Sequence, residues 1–243
     1  ISYNKNDIAF NKIISGILNY NELRNKFLPE FYHSLNIKTC VYCNANFTTT
    51  IEKEKGVFES KFQFDHILSQ DDYPHFSISI FNLVPSCFKC NNIKRKNTIS
   101  FQLYSENIPR NEYKFSLDKL GIINYFKTFD NSNIEIKFFD PNYASKKLKS
   151  LEHNFNISKI YKEHKDIAEE IIIKSYIYNE SYVKDLSNFM DSKFQNLQVS
   201  FDRLFIGNYM QESESLKRPL SKFTQDIFKE VQHLKTDIDK VIK

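Results

Sequence analysis

The stretch CFKCNNIKRKN, residues 87–97, decides the fold together with CVYC at residues 40–43, because each stretch contains a C-x-x-C pair. The chain has four cysteines and none is left over: Cys40, Cys43, Cys87 and Cys90. Two such pairs present four sulfurs at the spacing of one tetrahedral metal site. The sequence shows no secretory signal segment, so we predict a structural Zn²⁺ site in preference to two disulfides.

The composition is that of an ordinary globular protein. Hydrophobic residues make up 41% and aromatic residues 15% of the 243 residues, which is enough to bury a core. The net charge of +4 permits nucleic acid as a partner without arguing for it. No apolar run approaches the roughly 20 residues that span a membrane, so we expect a cytoplasmic protein with no membrane partner.

The segment between the two cysteine pairs carries strand signals. In KFQFDH, residues 61–66, aromatic and polar residues alternate, which is the period of a half-buried strand. A second extended stretch, FSISIFNLVP at residues 76–85, follows, and we expect Pro85 to prevent its regular continuation. Residues 88–96 contain neither proline nor glycine and favour a helix. The predicted order is therefore knuckle, strand, strand, knuckle, helix.

The rest of the chain is predicted to be mainly helical. We divide it into an N-terminal helical segment (residues 1–39), a core with the knuckles (40–98) and a mainly helical C-terminal region (99–243) that docks a partner or nucleic acid. The alternating stretch NIEIKFFD, residues 133–140, predicts one strand within that last region. Apolar residues spaced by three or four after Pro219 predict the final helix.

Three polar residues are candidates for chemistry, two of them between the cysteine pairs and one directly after the second pair. Asp65 offers a carboxylate oxygen at the end of the predicted strand, and Asn91 offers an amide oxygen directly after the last cysteine. Oxygen ligands without imidazole partners select Mg²⁺ or Mn²⁺ over Zn²⁺. His66 lies next to Asp65, and its ordinary pKa of about 6.5 suits a base that takes a proton from water.

A cationic run accompanies this constellation, and its members are Lys89, Lys94, Arg95 and Lys96. These side chains form either a solvated helix face or a surface that neutralises backbone phosphates, and we favour the second interpretation. Two other residues have simpler interpretations: loop solvation for His75 and packing within the finger for Tyr42.

Four motifs in one order then resemble a known family: CVYC (40–43), FDHIL (64–68), FNLVPSC (81–87) and CNNIK (90–94). The order is similar to that in the zinc-bearing branch of the HNH, or ββα-metal, endonucleases. The resemblance covers residues 40–96. It implies an α+β fold, in which a ββα-metal finger with a four-cysteine zinc site grips one catalytic divalent ion and is embedded in a mainly helical chain.

The resemblance also implies a role for each matching residue. Asp65 and Asn91 would ligate the catalytic Mg²⁺ (or Mn²⁺), and His66 would be the general base. Asn82 would brace the loop that carries the histidine. The last motif letter is asparagine, as in phage junction resolvases and RNA-guided effector nucleases. Hydrolysis in this family leaves 5′-phosphate and 3′-hydroxyl ends.

Three functions stay open from the sequence. The first is a Mg²⁺-dependent DNA endonuclease, and the second is a zinc-stabilised nucleic-acid-binding module without catalysis. The residues that discriminate them are Asp65, His66 and Asn91, which a binding module has no need to keep. The third is a nuclease acting on RNA, and the sequence has no stacking motif that would decide this.

The biological setting rests on general layout. Long HNH proteins with a helical tail ending in a stretch like RPLSKFTQDIF, residues 218–228, are similar to effector nucleases of bacterial anti-phage systems. The Septu type, in which the nuclease partners an ABC-type ATPase, is the nearest in layout. In that case the region after residue 99 would be a docking surface. The alternatives are a tail that completes the core or extends the DNA-binding surface, and restriction or homing-type HNH enzymes.

Overall fold

The computed structural model describes residues 7–99, 103–104, 113–144, 149–178, 180–193 and 201–242. The chain forms two compact units. The first is built from the described residues within Ile1–Glu112 and Asp140–Asn156, and the second from those within Tyr113–Phe139 and Ile157–Lys243. This division differs from the predicted boundaries after residues 39 and 98.

The helices in chain order are α1 (Ile8–Leu18), α2 (Tyr20–Glu22), α3 (Leu28–Ser34), α4 (Phe88–Lys94), α5 (Lys119–Thr128), α6 (Leu151–Phe155), α7 (Ile157–Lys162), α8 (Lys165–Ile177), α9 (Glu180–Lys193), α10 (Phe201–Ile206) and α11 (Ser221–Ile242). The strands are β1 (Thr50–Glu54), β2 (Val57–Ser60), β3 (Gln63–His66), β4 (Leu83–Ser86), β5 (Lys114–Leu117) and β6 (Ile136–Phe139). A π-helical turn, Leu23–Phe27, joins α2 to α3. The fold is thus the predicted mixture of helices with small antiparallel sheets.

The N-terminal helices are part of the first unit because their apolar side chains complete its core. Leu28 and Tyr32 of α3 are buried together with Phe64 of β3 and Leu83 of β4. The Tyr32 hydroxyl donates a hydrogen bond to the Leu83 carbonyl oxygen at 2.6 Å, which satisfies a polar group that burial would otherwise leave unpaired. The helical prediction for this segment is confirmed for the residues described.

The first unit contains two strand pairs, of which only one was predicted. Strands β1 and β2 form an antiparallel hairpin, and Gly56 in its turn has a φ of +78°, which glycine adopts without strain. The pattern of residues 50–60 did not indicate this hairpin. Strands β3 and β4 form the second antiparallel pair, with Asp65 opposite Val84 and His66 opposite Leu83.

The prediction for residues 76–85 was partly wrong. Only the last part of this stretch is extended, since 3₁₀ turns cover Pro74–Phe76 and Ile80–Asn82 before β4 begins. Pro85 does not interrupt the strand but lies within β4, opposite Phe64. A proline is tolerated there because β4 has only one strand partner in its sheet.

The second unit is organised around the long helix α11. Strands β5 and β6 form an antiparallel hairpin, as the alternating pattern predicted for β6. Phe115 of β5 contacts the rings of Tyr161 and Phe223, at centroid distances of 4.2 and 5.3 Å. Along α11 the predicted apolar positions Phe223, Ile227 and Val231 are buried, and Leu234 is half-buried. Within the described part of the chain, no helix is both long and apolar enough to cross a membrane.

Candidate active site and metal centre

The four cysteines come together at one point of the first unit. Their sulfur atoms all lie within 4.8 Å of one another, and only Cys87 is not fully buried. A tetrahedral Zn²⁺ with bonds of about 2.3 Å needs sulfurs roughly 3.8 Å apart. Burial raises the pKa of the Cys40 thiol well above its ordinary value, because a cluster of buried thiolates is costly unless a cation is bound. The cluster is therefore compatible with structural zinc.

The backbone holds the first knuckle against β4. The amide of Val41 donates to the carbonyl of Pro85 at 3.2 Å, and the amide of Cys40 donates to the carbonyl of Asn46 at 2.9 Å. The side-chain amide of Asn46 also contacts the Cys43 sulfur at 3.5 Å. The knuckle and the strand that precedes α4 thus form one rigid frame for the residues that follow.

Asp65 is buried at the centre of this frame, with only 5% of its surface exposed. Its Oδ2 accepts a hydrogen bond from the Tyr42 hydroxyl at 2.5 Å and lies 3.2 Å from the Lys94 ammonium. Tyr42 lies in the first knuckle and is a buried packing residue, but its ring stacks on Phe155 of α6, which is outside the predicted finger. Burial raises the pKa of Asp65, and the charge of Lys94 opposes that rise.

Lys94 is the main difference between prediction and structure. We predicted that it lies on an exposed cationic face, but its side chain is fully buried. Its ammonium also donates to the His66 carbonyl oxygen at 2.6 Å, so it joins the end of β3 to the end of α4 and is not accessible to a phosphate. Burial lowers the pKa of Lys94, and the Asp65 carboxylate opposes that change.

His66 follows Asp65 and points to the other face of β3, as strand alternation requires. Its Nε2 lies 2.9 Å from the carbonyl oxygen of Ser77, and its ring packs on Tyr20 with centroids 4.7 Å apart. Burial lowers the pKa of His66 below its ordinary value of 6.5. Two independent elements, helix α2 and the loop before β4, therefore fix the orientation of the imidazole.

Asn82 ties together the loop between β3 and β4. Its Oδ1 accepts from the amide of Leu68 at 2.7 Å, and its Nδ2 donates to the carbonyls of Leu68 and Phe76, both at 3.1 Å. Phe76 precedes Ser77, whose carbonyl contacts His66. These contacts fit the bracing role of Asn82, which stays a prediction.

Asn91 lies on the first turns of α4 and faces the same side of β3 as Asp65. Its side-chain amide donates to the Oε1 of Gln63, and Gln63 shares a face with Asp65 because the two are separated by two positions. The side-chain carbonyl oxygen of Asn91, Oδ1, takes no part in that hydrogen bond. The contacts of the Asp65 side chain among the described residues both involve Oδ2.

These two residues fit a hard divalent cation by donor type, since Asp65 Oδ1 and Asn91 Oδ1 are the oxygen ligands that Mg²⁺ prefers. The roles of Asp65 and Asn91 as ligands stay a prediction. So does the role of His66 as general base.

The other predicted cations are exposed. Lys89 and Arg95 lie on the surface, and Lys96 pairs with Asp71 at 3.1 Å. His75 is also exposed, in the loop between β3 and β4, with its ring 4.3 Å from that of Phe76. Three of the four predicted cations are thus exposed, and one of these three is paired with a carboxylate.

Sequence reasoning missed the groups that hold the site in place. Tyr42 and Lys94 contact Asp65, and Tyr20 contacts His66, across 23 to 46 positions of chain. The spacing of Lys94 after Asn91 was visible, but a lysine on a short polar helix is usually exposed.

Taken together, β3, β4 and α4 with the four-cysteine cluster form a ββα-metal finger. The comparison with protein families agrees: the family model "HNH endonuclease" matches residues 40–97. The chain therefore contains an HNH endonuclease domain, which supports a nuclease-type function and a nucleic acid as its substrate. No curated protein and no solved structure matches the chain.

Proposed function

We propose that this protein is a Mg²⁺-dependent endonuclease that hydrolyses phosphodiester bonds in DNA. The observation that carries the proposal is the fixed imidazole of His66, which directly follows the buried Asp65 at the end of β3 in an HNH domain. A binding module without catalysis has no need for an oriented histidine next to a buried acid.

The contact of His66 with Ser77 supports one ring nitrogen as the base. A carbonyl oxygen only accepts hydrogen bonds, so Nε2 carries the proton and Nδ1 carries the lone pair of the neutral ring. Because burial lowers the pKa of His66, the ring is neutral at physiological pH. Nδ1 then accepts a proton from the attacking water, a contribution worth about 10²–10⁴-fold in rate.

The two metals would have separate roles. Asp65 and Asn91 would hold the catalytic Mg²⁺ (or Mn²⁺), which when bound supplies stabilisation of the charge that develops on the phosphate. The four cysteines would hold Zn²⁺ as a structural ion, and Tyr42 in the first knuckle fixes Asp65 by its hydrogen bond. Asn82 would hold the loop whose Ser77 carbonyl oxygen orients His66.

The exposed cations on and after α4 support a polyanionic substrate. Lys89, Arg95 and Lys96 would contact backbone phosphates, and such contacts carry no sequence information. No groove-reading element was recognised in the sequence, so we propose weak sequence specificity. Sequencing the cleavage ends tests this, because a single dominant motif would contradict it.

For the biological setting we propose a cytoplasmic effector of bacterial anti-phage defence that partners an ABC-type ATPase. The support is the layout: an HNH domain joined to a helical unit whose last helix begins within RPLSKFTQDIF. The test is purification of the tagged protein with its genomic neighbours co-expressed. Failure of an encoded ATPase to co-purify would contradict the partnership and leave the nuclease proposal standing.

The nuclease proposal itself is tested with supercoiled plasmid and a structured RNA, each incubated with Mg²⁺, Mn²⁺ or EDTA. We expect nicking or linearisation of the plasmid that requires the divalent metal and leaves ends that a ligase rejoins. Cleavage of the RNA alone would replace DNA as the substrate. Binding of both nucleic acids by folded, zinc-loaded protein without any cleavage would favour the non-catalytic module.

A further inference from the structure

Three cations surround one aromatic ring in the second unit. The guanidinium carbon of Arg203 lies 4.1 Å from the ring centroid of Tyr209, the ammonium of Lys217 lies 5.4 Å from it, and the guanidinium carbon of Arg218 lies 5.6 Å from it. All four side chains are partly exposed. Because the three cations share one centre, no two of them lie more than about 11 Å apart, which is close to the Debye length of roughly 8–10 Å at ordinary salt.

The acidic residues of the same loop only partly balance this charge. Glu214 pairs with Lys217 at 2.9 Å. Glu212, the other acidic residue between Gly207 and Leu220, pairs with Lys229 at 3.1 Å. Among the described side chains between Gly207 and Leu220, one carboxylate, that of Glu214, pairs with the cations around Tyr209. The members of this cluster also offer hydrogen-bond donors to an incoming anion.

Buried polar side chains form hydrogen bonds that hold the loop between α10 and α11, which contains Tyr209, Lys217 and Arg218. Asn208 donates to the Pro219 carbonyl at 3.0 Å and accepts from the Ser221 hydroxyl at 2.5 Å. Gln225 donates to the carbonyls of Tyr209 and Gln211 at 2.9 and 2.8 Å. All three supporting side chains are buried.

These hydrogen bonds order the loop more firmly than a simple connection between α10 and α11 would require. Supporting hydrogen bonds of this kind are typical of loops whose side chains must stay in position for binding. Arg218 is held in the same way, since its Nη1 donates to the Gly207 carbonyl at 2.6 Å.

We propose that Arg203, Lys217 and Arg218, gathered around Tyr209, form a phosphate-binding site for the backbone of a nucleic acid. The guanidinium groups match the fork of phosphate oxygens, and the ammonium adds a point charge. The three cations surround the ring of Tyr209, so we do not expect this ring to stack on a base. The proposed contact is with the nucleic-acid backbone and is independent of sequence. This site lies outside the HNH domain and adds a second binding region to the chain.

This inference rests on the proposed function, because a nuclease substrate is the polyanion that the chain must hold. An acidic protein surface is the alternative ligand for the same cations. Salt dependence separates the two cases, since each lost phosphate contact changes the salt dependence of nucleic-acid binding by a known increment.

The test measures binding of a fluorescent DNA duplex by polarisation over a series of salt concentrations, in a His66→Ala background without added divalent metal. We expect Lys217→Gln to reduce the slope of log K against log[salt] by about 1, and Arg203→Gln to do the same. Arg203→Lys keeps the charge and should restore most of the slope. Thermal unfolding confirms that each variant is folded.

The matched control is Lys137→Gln, because Lys137 also pairs with a carboxylate, Asp118, at 2.7 Å in the same unit. Its slope should equal that of the parent. Equal slopes for the parent, Lys217→Gln and Arg203→Gln would overturn the site, and would favour an acidic protein partner. An equal loss in Lys137→Gln would also overturn it, since the effect would then be one of net charge. A parent that binds no nucleic acid would overturn this inference together with the proposed function.

Discussion

Two buried lysine–aspartate pairs, one in each unit, show how similar contacts can belong to different kinds of structure. In the first unit, Lys94 at the end of α4 lies 3.2 Å from Asp65 on β3. In the second unit, Lys222 and Asp226 lie 2.7 Å apart, one turn from each other on α11. Burial raises the pKa of both aspartates. Burial of an ion pair therefore does not by itself mark a functional site.

The neighbours of the two pairs make the difference. Asp226 accepts a hydrogen bond from the amide of Phe115 at 3.0 Å, so its second oxygen fastens α11 to β5. The contacts of Asp65 both involve one oxygen, and the next residue in the chain is an oriented histidine. We infer that the Lys222–Asp226 pair is structural, whereas the Lys94–Asp65 pair holds a carboxylate ready for chemistry.

The largest expected effect is loss of the structural zinc, which should change the first unit and leave the second unit unchanged. Cys40→Ser removes one ligand, and structural zinc contributes on the order of 10 kcal/mol to the folding of small zinc domains. We expect loss of bound zinc and loss of amide protection in β3, β4 and α4, measured by hydrogen exchange. The amide of Phe115, held by Asp226, should keep its protection. Equal loss of amide protection in both units would contradict the distinction between the Lys94–Asp65 pair and the Lys222–Asp226 pair.

The next effect compares the two aspartates directly. Asp65→Asn and Asp226→Asn each leave a buried lysine charge without its partner, which costs about 3–5 kcal/mol. Urea unfolding should show a similar loss of stability for both. Under conditions where both variants are folded, we expect Asp226→Asn to cleave plasmid like the wild type and Asp65→Asn to be inactive. Equal activity of the two variants would place Asp65 among purely structural residues.

A smaller effect concerns the loop that orients His66. Asn82→Ala removes three hydrogen bonds and should cost about 1–3 kcal/mol in stability, because buried backbone groups lose their partners. Cleavage should slow by about 10-fold or more, because the general base is displaced, while DNA binding is unchanged. The control is Asn133→Ala in the second unit, where Asn133 donates to Thr128 and Asp130. It should lose stability without losing cleavage beyond what unfolding explains.

The smallest effect is on the pH dependence of cleavage. Burial lowers the pKa of His66 below 6.5, so its neutral, basic form predominates at neutral pH and is lost as the pH falls through that lowered pKa. We expect kcat/KM to be constant near neutrality and to decrease at acid pH. A decrease that begins above pH 6.5 would contradict the buried environment of His66 as the structure gives it.

The parts of the site that the sequence could predict are those with a local pattern. The cysteine pairs fix a metal site by spacing, and alternation in residues 61–66 places Asp65 and His66 on opposite faces of one strand. Pattern also located β6 and α11. These predictions succeed because they depend on neighbours within a few positions of the chain.

The parts that could not be predicted depend on distant contacts. Lys94 can be buried because the Asp65 carboxylate pairs with its ammonium and the His66 carbonyl oxygen accepts a hydrogen bond from it. Nothing in CNNIKRKN distinguishes Lys94 from the exposed Arg95 and Lys96. The first unit also includes α6, which supplies the ring of Phe155 against Tyr42. Only the three-dimensional arrangement brings that segment to the finger.

The central claim, that His66 is the base of a metal-dependent nuclease, is tested most directly by one pair of variants. His66 packs on Tyr20 and His33 packs on Phe58, both with ring centroids 4.7 Å apart, so His33→Ala is a matched control for His66→Ala. We would measure single-turnover plasmid cleavage in Mg²⁺ by both variants, with zinc content and thermal stability determined on the same samples. The account predicts that His66→Ala loses at least about 100-fold in rate while keeping zinc and its fold, and that His33→Ala cleaves like the wild type. Cleavage by folded His66→Ala at the rate of His33→Ala would contradict it.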